Sequence, residues 1–347
     1  MGHFEIENHS PFAFEALILS DEEGRPVLVG VVKATYVLDR TGRPAIAGKQ
    51  LAVNILGQSY GQSGTSSYKY EPETAFVKPA TDVVLIGRAY PSGTGCIECD
   101  VRFQVGPVRK TVKVVGDRYW VKSLGTISMT APEPFESIPL LYERSFGGWD
   151  RTHADPDRHS FEARNPVGTG FRLSDGKFED GIRLPNLEDP RNSLRNYGDT
   201  PPPAGFGFTS PDWQPRAALA GTYDEQWMSR RMPLLPKNFD HRFFNAASPG
   251  LIAPGYLKGN ESVLVENGSP RGRISFNLPG VVPPICNVQL RDRDVHIETC
   301  LDTIIVNADE DLLLLIWRGR LALRNGPHDI ASIQIHVEGL SAQIAED

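Results

Sequence analysis

Cysteine is scarce in this chain of 347 residues: Cys96, Cys99, Cys286 and Cys300 are the only four. That is too few for a disulfide scaffold and fits a reducing cytoplasm. Long hydrophobic runs are lacking as well. The longest strongly apolar stretch, Leu312 to Trp317, has six residues, whereas a membrane-spanning helix needs about twenty. The opening Met1–Glu7 has no basic cluster and no apolar core of a secretory signal. Ile6 stands where a myristoylation signal wants Ser or Thr. Neither a membrane anchor nor a membrane partner is expected. Positive charge is not in excess, since 36 Lys plus Arg face 43 Asp plus Glu for a net of −7. This argues against general affinity for nucleic acid or anionic lipid. Proteins or small solutes are the expected partners.

Catalytic signatures are missing too. There is no Walker loop, HExxH, EF-hand loop, dinucleotide glycine fingerprint or GxSxG elbow. Cys96-Ile97-Glu98-Cys99 has the spacing of a redox or zinc pair. It opens a strand rather than a helix and has no second tight pair, so it reads as structural thiols. An extended backbone would put His153, Asp155, Asp157 and His159 on one side, like metal ligands. Polar segments of this kind with an internal Pro more often form exposed turns. Asp150, Glu188, Asp199, Asp212, Asp224 and Asp240 lie among Trp149, Trp213, Tyr223 and Trp227, the mixture found in carbohydrate clefts. No spacing singles out a catalytic pair. Turn capping, or pairing with Arg164, Arg216, Arg231 and Arg242, is the simpler reading. The expectation is a non-enzyme with no cofactor and no metal.

Glycine and proline, by contrast, are plentiful at 33 and 28 residues, beside a hydrophobic content of 40%. The chain reads as folded, turn-rich and mainly β. Residues 1–131 form one strand-rich unit, with Val27–Leu38 and Thr81–Ala89 as buried strands. Val101–Val105 and Val108–Val115 form a hairpin turned by Gly106-Pro107, with Arg109, Thr111 and Lys113 on its wet face. Residues 132–260 form a long, ordered Gly/Pro-rich loop region packed on this scaffold. It contains one helix candidate from Thr222, where Thr222 and Glu225 have capping-box spacing and Pro233 ends the run. Residues 261–347 form a second strand-rich unit, sandwich- or meander-like, with strands at Ser262–Glu266, Arg273–Leu278, Ile285–Leu290, Asp294–Glu298, Thr303–Asn307 and Leu312–Arg318. The two β units are free to share a sheet.

Several words follow one another in a fixed order: residues 79–83 (PATDV), 115–118 (VGDR), 139–150 (PLLYERSFGGWD), 165–171 (NPVGTGF) and 184–188 (LPNLE). Then come 205–207 (GFG), 213–216 (WQPR), 221–224 (GTYD), 235–240 (LPKNFD) and 242–247 (RFFNAA). This order resembles the bacterial domain-of-unknown-function family numbered 2169. Where that family usually has Asp before Phe239, this chain has Asn238. The resemblance implies a cytoplasmic adaptor chaperone of the type VI secretion system. Such a protein binds a toxic effector, a PAAR-like tip protein and the spike protein, and assists effector loading. It supplies no catalytic residues. Aromatic residues and Arg concentrated in irregular segments suit a contact surface. Arg144, Trp149, Trp213, Arg216, Tyr223, Trp227 and Arg231 are expected to line or support it. A partner strand added to an exposed sheet edge is the expected docking mode. The alternative is a carbohydrate-binding or carbohydrate-active protein using the aromatic and acidic middle region.

Overall fold

Trp317 and the leucines before it occupy a position that only a strand flanked on both sides can give them. In the computed structural model, which describes residues 4–173 and 178–339, Leu312–Ala322 lies between Pro26–Leu38 and Cys300–Asn307. The sheet continues on one side to Ala13–Ser20 and on the other to Asp82–Ile86, with short Pro44–Ile46 against the end of Pro26–Leu38. Most pairs are antiparallel, but Asp82–Ile86 runs parallel to Cys300–Asn307. The long β-branched run at 27–38 is almost wholly buried, as strands covered on both faces require.

A second sheet has the order Leu187–Glu188, Val108–Val115, Glu98–Val105, Ser262–Glu266, Arg273–Asn277. A third orders Glu5–Asn8, Ile330–His336, Ile285–Leu290 and Asp294–Glu298. Side chains from all three meet in one core that includes Val83, Phe103, Val265, Ile304 and Ile335. Mainly β is therefore correct, and among the described residues no sheet closes into a barrel. The strand-rich ends of the chain do not build separate sheets. Early and late strands are combined in each of the first two sheets, and Leu187–Glu188 from the middle joins the second.

The middle region has its own small core. Trp120, Phe146, Phe171, Ile182, Leu184 and Leu194 pack beneath the sheet Thr126–Met129, Tyr119–Ser123, Ile182–Arg183. Its loops interlock at Phe146–Gly147, which pairs in parallel with Thr169–Gly170. Asn165 is fully buried and donates to the Tyr142 and Phe146 carbonyls at 2.8 and 3.0 Å. Gly147 has φ 151° and lies against the Asn165 backbone, so a side chain there would collide with main chain. The helix forms at Glu225–Arg230, one turn and a half rather than a longer run. Its cap is Asp224, not Thr222: the Asp224 carboxylate accepts from the Trp227 N–H at 2.8 Å.

The most unusual feature of the core is charge. Lys33, Lys78, Arg216 and Arg318 are buried with Glu71, Glu73, Asp82 and Asp302. Lys33 meets Glu73 at 2.7 Å, Lys78 meets Asp82 at 2.8 Å and Glu71 at 3.9 Å, Arg318 meets Asp302 at 2.6 Å, and Arg216 pairs with Glu71. Cations and carboxylates are equal in number, so the network carries no net charge. Much of the remaining polar capacity goes to main chain and to neutral side chains, while Arg318 Nη2 has no hydrogen-bond partner among the described residues. Asp82 accepts from Asn245 Nδ2 and the Ala246 N–H, each at 2.9 Å. Arg216 donates to the Phe243 and Thr209 carbonyls, and Arg318 to those of Glu73 and Ala75. The network thereby ties the early strands, the middle loops and the late strands together.

Removing one member leaves its partner charged and buried, which typically costs about 3–5 kcal/mol. Arg216→Ala should lower the unfolding free energy in urea by about that amount. Arg242→Ala, which removes a largely exposed pair with Asp240, should change it by less than about 1 kcal/mol. Equal losses for the two variants would deny the network its role.

Candidate binding cleft at an open strand edge

Gly106-Pro107 makes a two-residue turn, so Val105 and Val108 face each other and the strands continue in register to Val115 opposite Glu98. In such a hairpin alternate residues point their backbone groups inward. Val108, Lys110, Val112 and Val114 bond to Glu98–Val105, which leaves the N–H and C=O of Arg109, Thr111, Lys113 and Val115 facing the other edge. The Val115 N–H confirms this phase by donating to the Asn186 carbonyl at 2.8 Å. On that edge Lys113 is paired with Glu188. Continuing the same register would place Pro190 opposite Thr111. Proline has no N–H and cannot extend the ladder, and the pairing stops there. The outward backbone groups of Arg109 and Thr111 have no protein partner among the described residues.

This edge borders a cleft of about 420 Å³, a size within the usual range for ligand sites. Its walls include Pro190, Pro202, Pro203 and Pro249, none of which can donate to the edge. Arg102, Arg109, Lys110 and Arg191 also line it, with Asp189 as the one acidic member. Arg102, Arg109 and Arg191 are exposed. Lys110 is half-buried on the inward face of its strand, and its Nζ donates to Ser248 Oγ at 2.6 Å and to the Pro249 carbonyl at 2.9 Å. Ser248 Oγ also accepts from the Tyr142 hydroxyl at 2.8 Å. Desolvation pushes the Lys110 pKa down to about 8, with Asp189 opposing the shift.

The seven residues expected at a contact surface do not form one patch. Trp213 and Arg216 are interior, Trp213 edge-on to Tyr142 at 5.2 Å and Arg216 in the charge network. Both side chains are packed inside and hold loops. Arg144 is half-buried, donates to Asn186 Oδ1 at 3.2 Å and sits 3.8 Å from Asp117. Trp227 lies on the short helix, with Arg231 at its C-cap and Tyr223 just before its N-cap. Trp227 donates to the Leu234 carbonyl, Arg231 is tied to Glu22 and Glu23, and Tyr223 is exposed beside Met228 and Met232. Trp149 is exposed elsewhere, stacked on Phe161 at 4.5 Å with Arg151 at 4.7 Å over its ring. It borders a second cavity, of about 370 Å³, with Arg172 and Arg183.

Most carboxylates of the middle region hold structure. Asp150 accepts from Thr152 and from the Leu173 N–H, Glu188 binds Arg118 at 2.6 Å, Asp199 caps Arg195 and Asn196, and Asp240 binds Arg242. Asp150, Asp199 and Asp240 are held below the usual carboxylate range, chiefly by these hydrogen bonds: for Asp150 they overcome a desolvation that acts upward. His153 and Asp155 are drawn into a hydrogen-bonded turn, Asp155 capping Pro156–Arg158 and its N–H donating to His153 Nδ1. Among the described residues no cluster of His, Cys, Asp and Glu is arranged to hold a metal. The Cys99 and Cys286 thiols are pushed up by burial to about 11 and 12, opposite to the shift a reactive thiolate needs. No helix among the described residues is long and apolar enough to cross a membrane.

Sequence reasoning identified the hairpin and its wet face but not the cleft, because Arg102, Arg109, Lys110 and Arg191 come from separate segments. The available signal was Pro190, two residues beyond a short apolar-acidic strand. If the cleft desolvates Lys110 as described, competitive acylation followed by mass spectrometry should find its amine titrating near pH 8, well below an ordinary lysine near about 10.4. A midpoint above 10 would mean that the amine is solvated.

Nothing among the curated proteins or the solved structures matches this chain. One family model does match, over residues 23–318, and its description is "Uncharacterized protein conserved in bacteria (DUF2169)". With most of its length covered, the chain belongs to that bacterial family, DUF2169.

Proposed function

We propose that this protein is a non-catalytic adaptor that captures a segment of a partner protein, and that it serves type VI secretion in the cytoplasm as a chaperone for an effector and its PAAR-like tip. The observation that carries the binding role is the open edge at Arg109 and Thr111. Backbone donors and acceptors left free inside a walled cleft are suited to receive an extended chain. The type VI assignment rests on the order of motifs described from the sequence. Such work needs no nucleotide and no covalent chemistry. Holding an exposed strand of the effector would keep it from edge-to-edge aggregation until it reaches the spike.

Several family motifs serve this reading indirectly. Residues 184–188 and 115–118 bring Glu188 and Arg118 together and place Pro190 opposite the edge. Residues 242–247 close on Asp82 and position Ser248 for Lys110. Such preorganisation lowers the entropic cost of docking.

A sugar-binding reading has one observation in its favour: the exposed Trp149–Phe161 stack beside the second cavity. Two assays separate them. Co-expression with the adjacent effector and tip protein should give a stable complex by size exclusion with light scattering, and an effector that is insoluble when this chain is omitted. Separate elution with a soluble effector would contradict the adaptor reading. A glycan array should give no signal that Trp149→Ala removes; such a signal would support sugar binding.

A further inference from the structure

We infer that the cleft recognises an acidic, extended segment of a partner protein, which adds as a strand to Val108–Thr111 on the edge that Leu187–Glu188 leaves open. This rests on the adaptor reading for its biological meaning but on the cleft alone for its chemistry.

Three observations select the occupant. The first is hydrogen bonding. Arg109 and Thr111 offer two N–H and two C=O groups along one edge, spaced as a ladder is spaced, and the prolines opposite have no N–H to give to the C=O groups. An extended peptide meets all four, whereas a helix or a compact solute does not. The second is side-chain placement. Cross-strand partners share a face, and Arg109 lies opposite Gln104 and Thr111 opposite Arg102. Residues of an added strand opposite Arg109 and Thr111 would thus project on the face that carries Arg102 and Arg109. The intervening residue would project on the Lys110 face, between Pro203 and Pro249.

The third is charge. Four cations against one carboxylate line this cleft although the chain as a whole is net −7. A basic segment would face like charges within a partly desolvated space, and a neutral one would leave Asp189 as the one carboxylate lining the cleft with its four cations. Arg102 already contacts Glu266 at 3.3 Å, but glutamate or aspartate still suits both faces: paired with Arg109 and Arg191 on one, and with the Lys110 ammonium on the other. The same charges discourage indiscriminate pairing with apolar strands, the usual hazard of an open edge. A second copy of this chain is not the occupant expected, because the edge itself is basic on both copies.

The test uses the full chain and fluorescein-labelled peptides of about six residues, long enough to span the open stretch at ~3.4 Å per residue. One alternates glutamate with valine, and its counterpart alternates lysine with valine. Fluorescence anisotropy at low ionic strength should show the acidic peptide binding at least about tenfold tighter than the basic one. Added salt should weaken it. Arg109→Glu combined with Arg191→Glu, both exposed, should abolish or invert the preference without unfolding the protein. Thr111→Pro removes only an outward N–H and should weaken the acidic peptide by about tenfold. If Thr111→Pro fails to fold by circular dichroism, the charge-reversed variant still decides the matter. Equal binding of the two peptides, or unchanged acidic-peptide binding in the charge-reversed variant, would overturn the inference. So would a dimer of the free chain, seen by light scattering, that the acidic peptide dissociates. An effector that co-purifies while the peptides fail to bind would leave the adaptor reading standing on another surface and refute this one.

Discussion

Asp82 is the point on which the structure depends. It is wholly buried at the start of a strand, and a cation and two further donors hold it there. Lys78 supplies the cation four residues earlier, while Asn245 and Ala246 supply donors from a loop some 160 positions later. A carboxylate cannot remain charged in such a place without them. From this requirement follow the route of residues 240–253 across the sheet and the location of Ser248. Burial pulls the Lys78 amine toward neutrality, but Asp82 and Glu71 overcome it and hold its pKa above the ordinary value. The network is poor evidence of high stability, because desolvation offsets much of its attraction. Its contribution is specificity: few arrangements of this chain place four cations and four carboxylates together.

The cleft is a consequence of the same constraint. Lys110 can lean over the inward face only because Ser248 and Pro249 are fixed beneath it. Glu188 is fixed by Arg118, and the chain beyond Glu188 therefore leaves the sheet at Pro190 in a defined direction. The edge opens for want of one N–H, is walled by prolines and is rimmed by arginine. Of the aromatic residues expected to line or support a contact surface, Trp149 and Tyr223 are exposed and Trp213 is interior. Trp213, Phe206 and Tyr142 are spent on holding loops to the scaffold.

Much of the fold was legible because alternation and turn chemistry agreed. Ser262–Glu266, Ile285–Leu290 and Asp294–Glu298 fall where the pattern put them. Two strand boundaries were missed because of buried charge. Cys300–Asn307 begins earlier than expected because Asp302 reads as a turn residue but pairs with Arg318 inside the protein. Leu312–Ala322 runs past Arg318 for the same reason. Ala13–Ser20 and Ile330–His336, edge and sheet strands of mixed polarity, carried too weak a pattern to stand out. The helix was placed but its cap was misassigned, since Thr222 and Asp224 are both capping residues and only the structure shows that Asp224 accepts. The cleft was not legible at all, because its cations converge from separate strands and loops.

Amide hydrogen exchange at Arg109 and Thr111 tests strand addition most directly, since it reads the bonds themselves. In the free chain both amides should exchange quickly while those of Lys110 and Val112, already paired, are protected. Saturation with the acidic peptide should slow Arg109 and Thr111 and leave Lys110 and Val112 as they were. Binding of the peptide without any slowing at Arg109 and Thr111 would contradict the account.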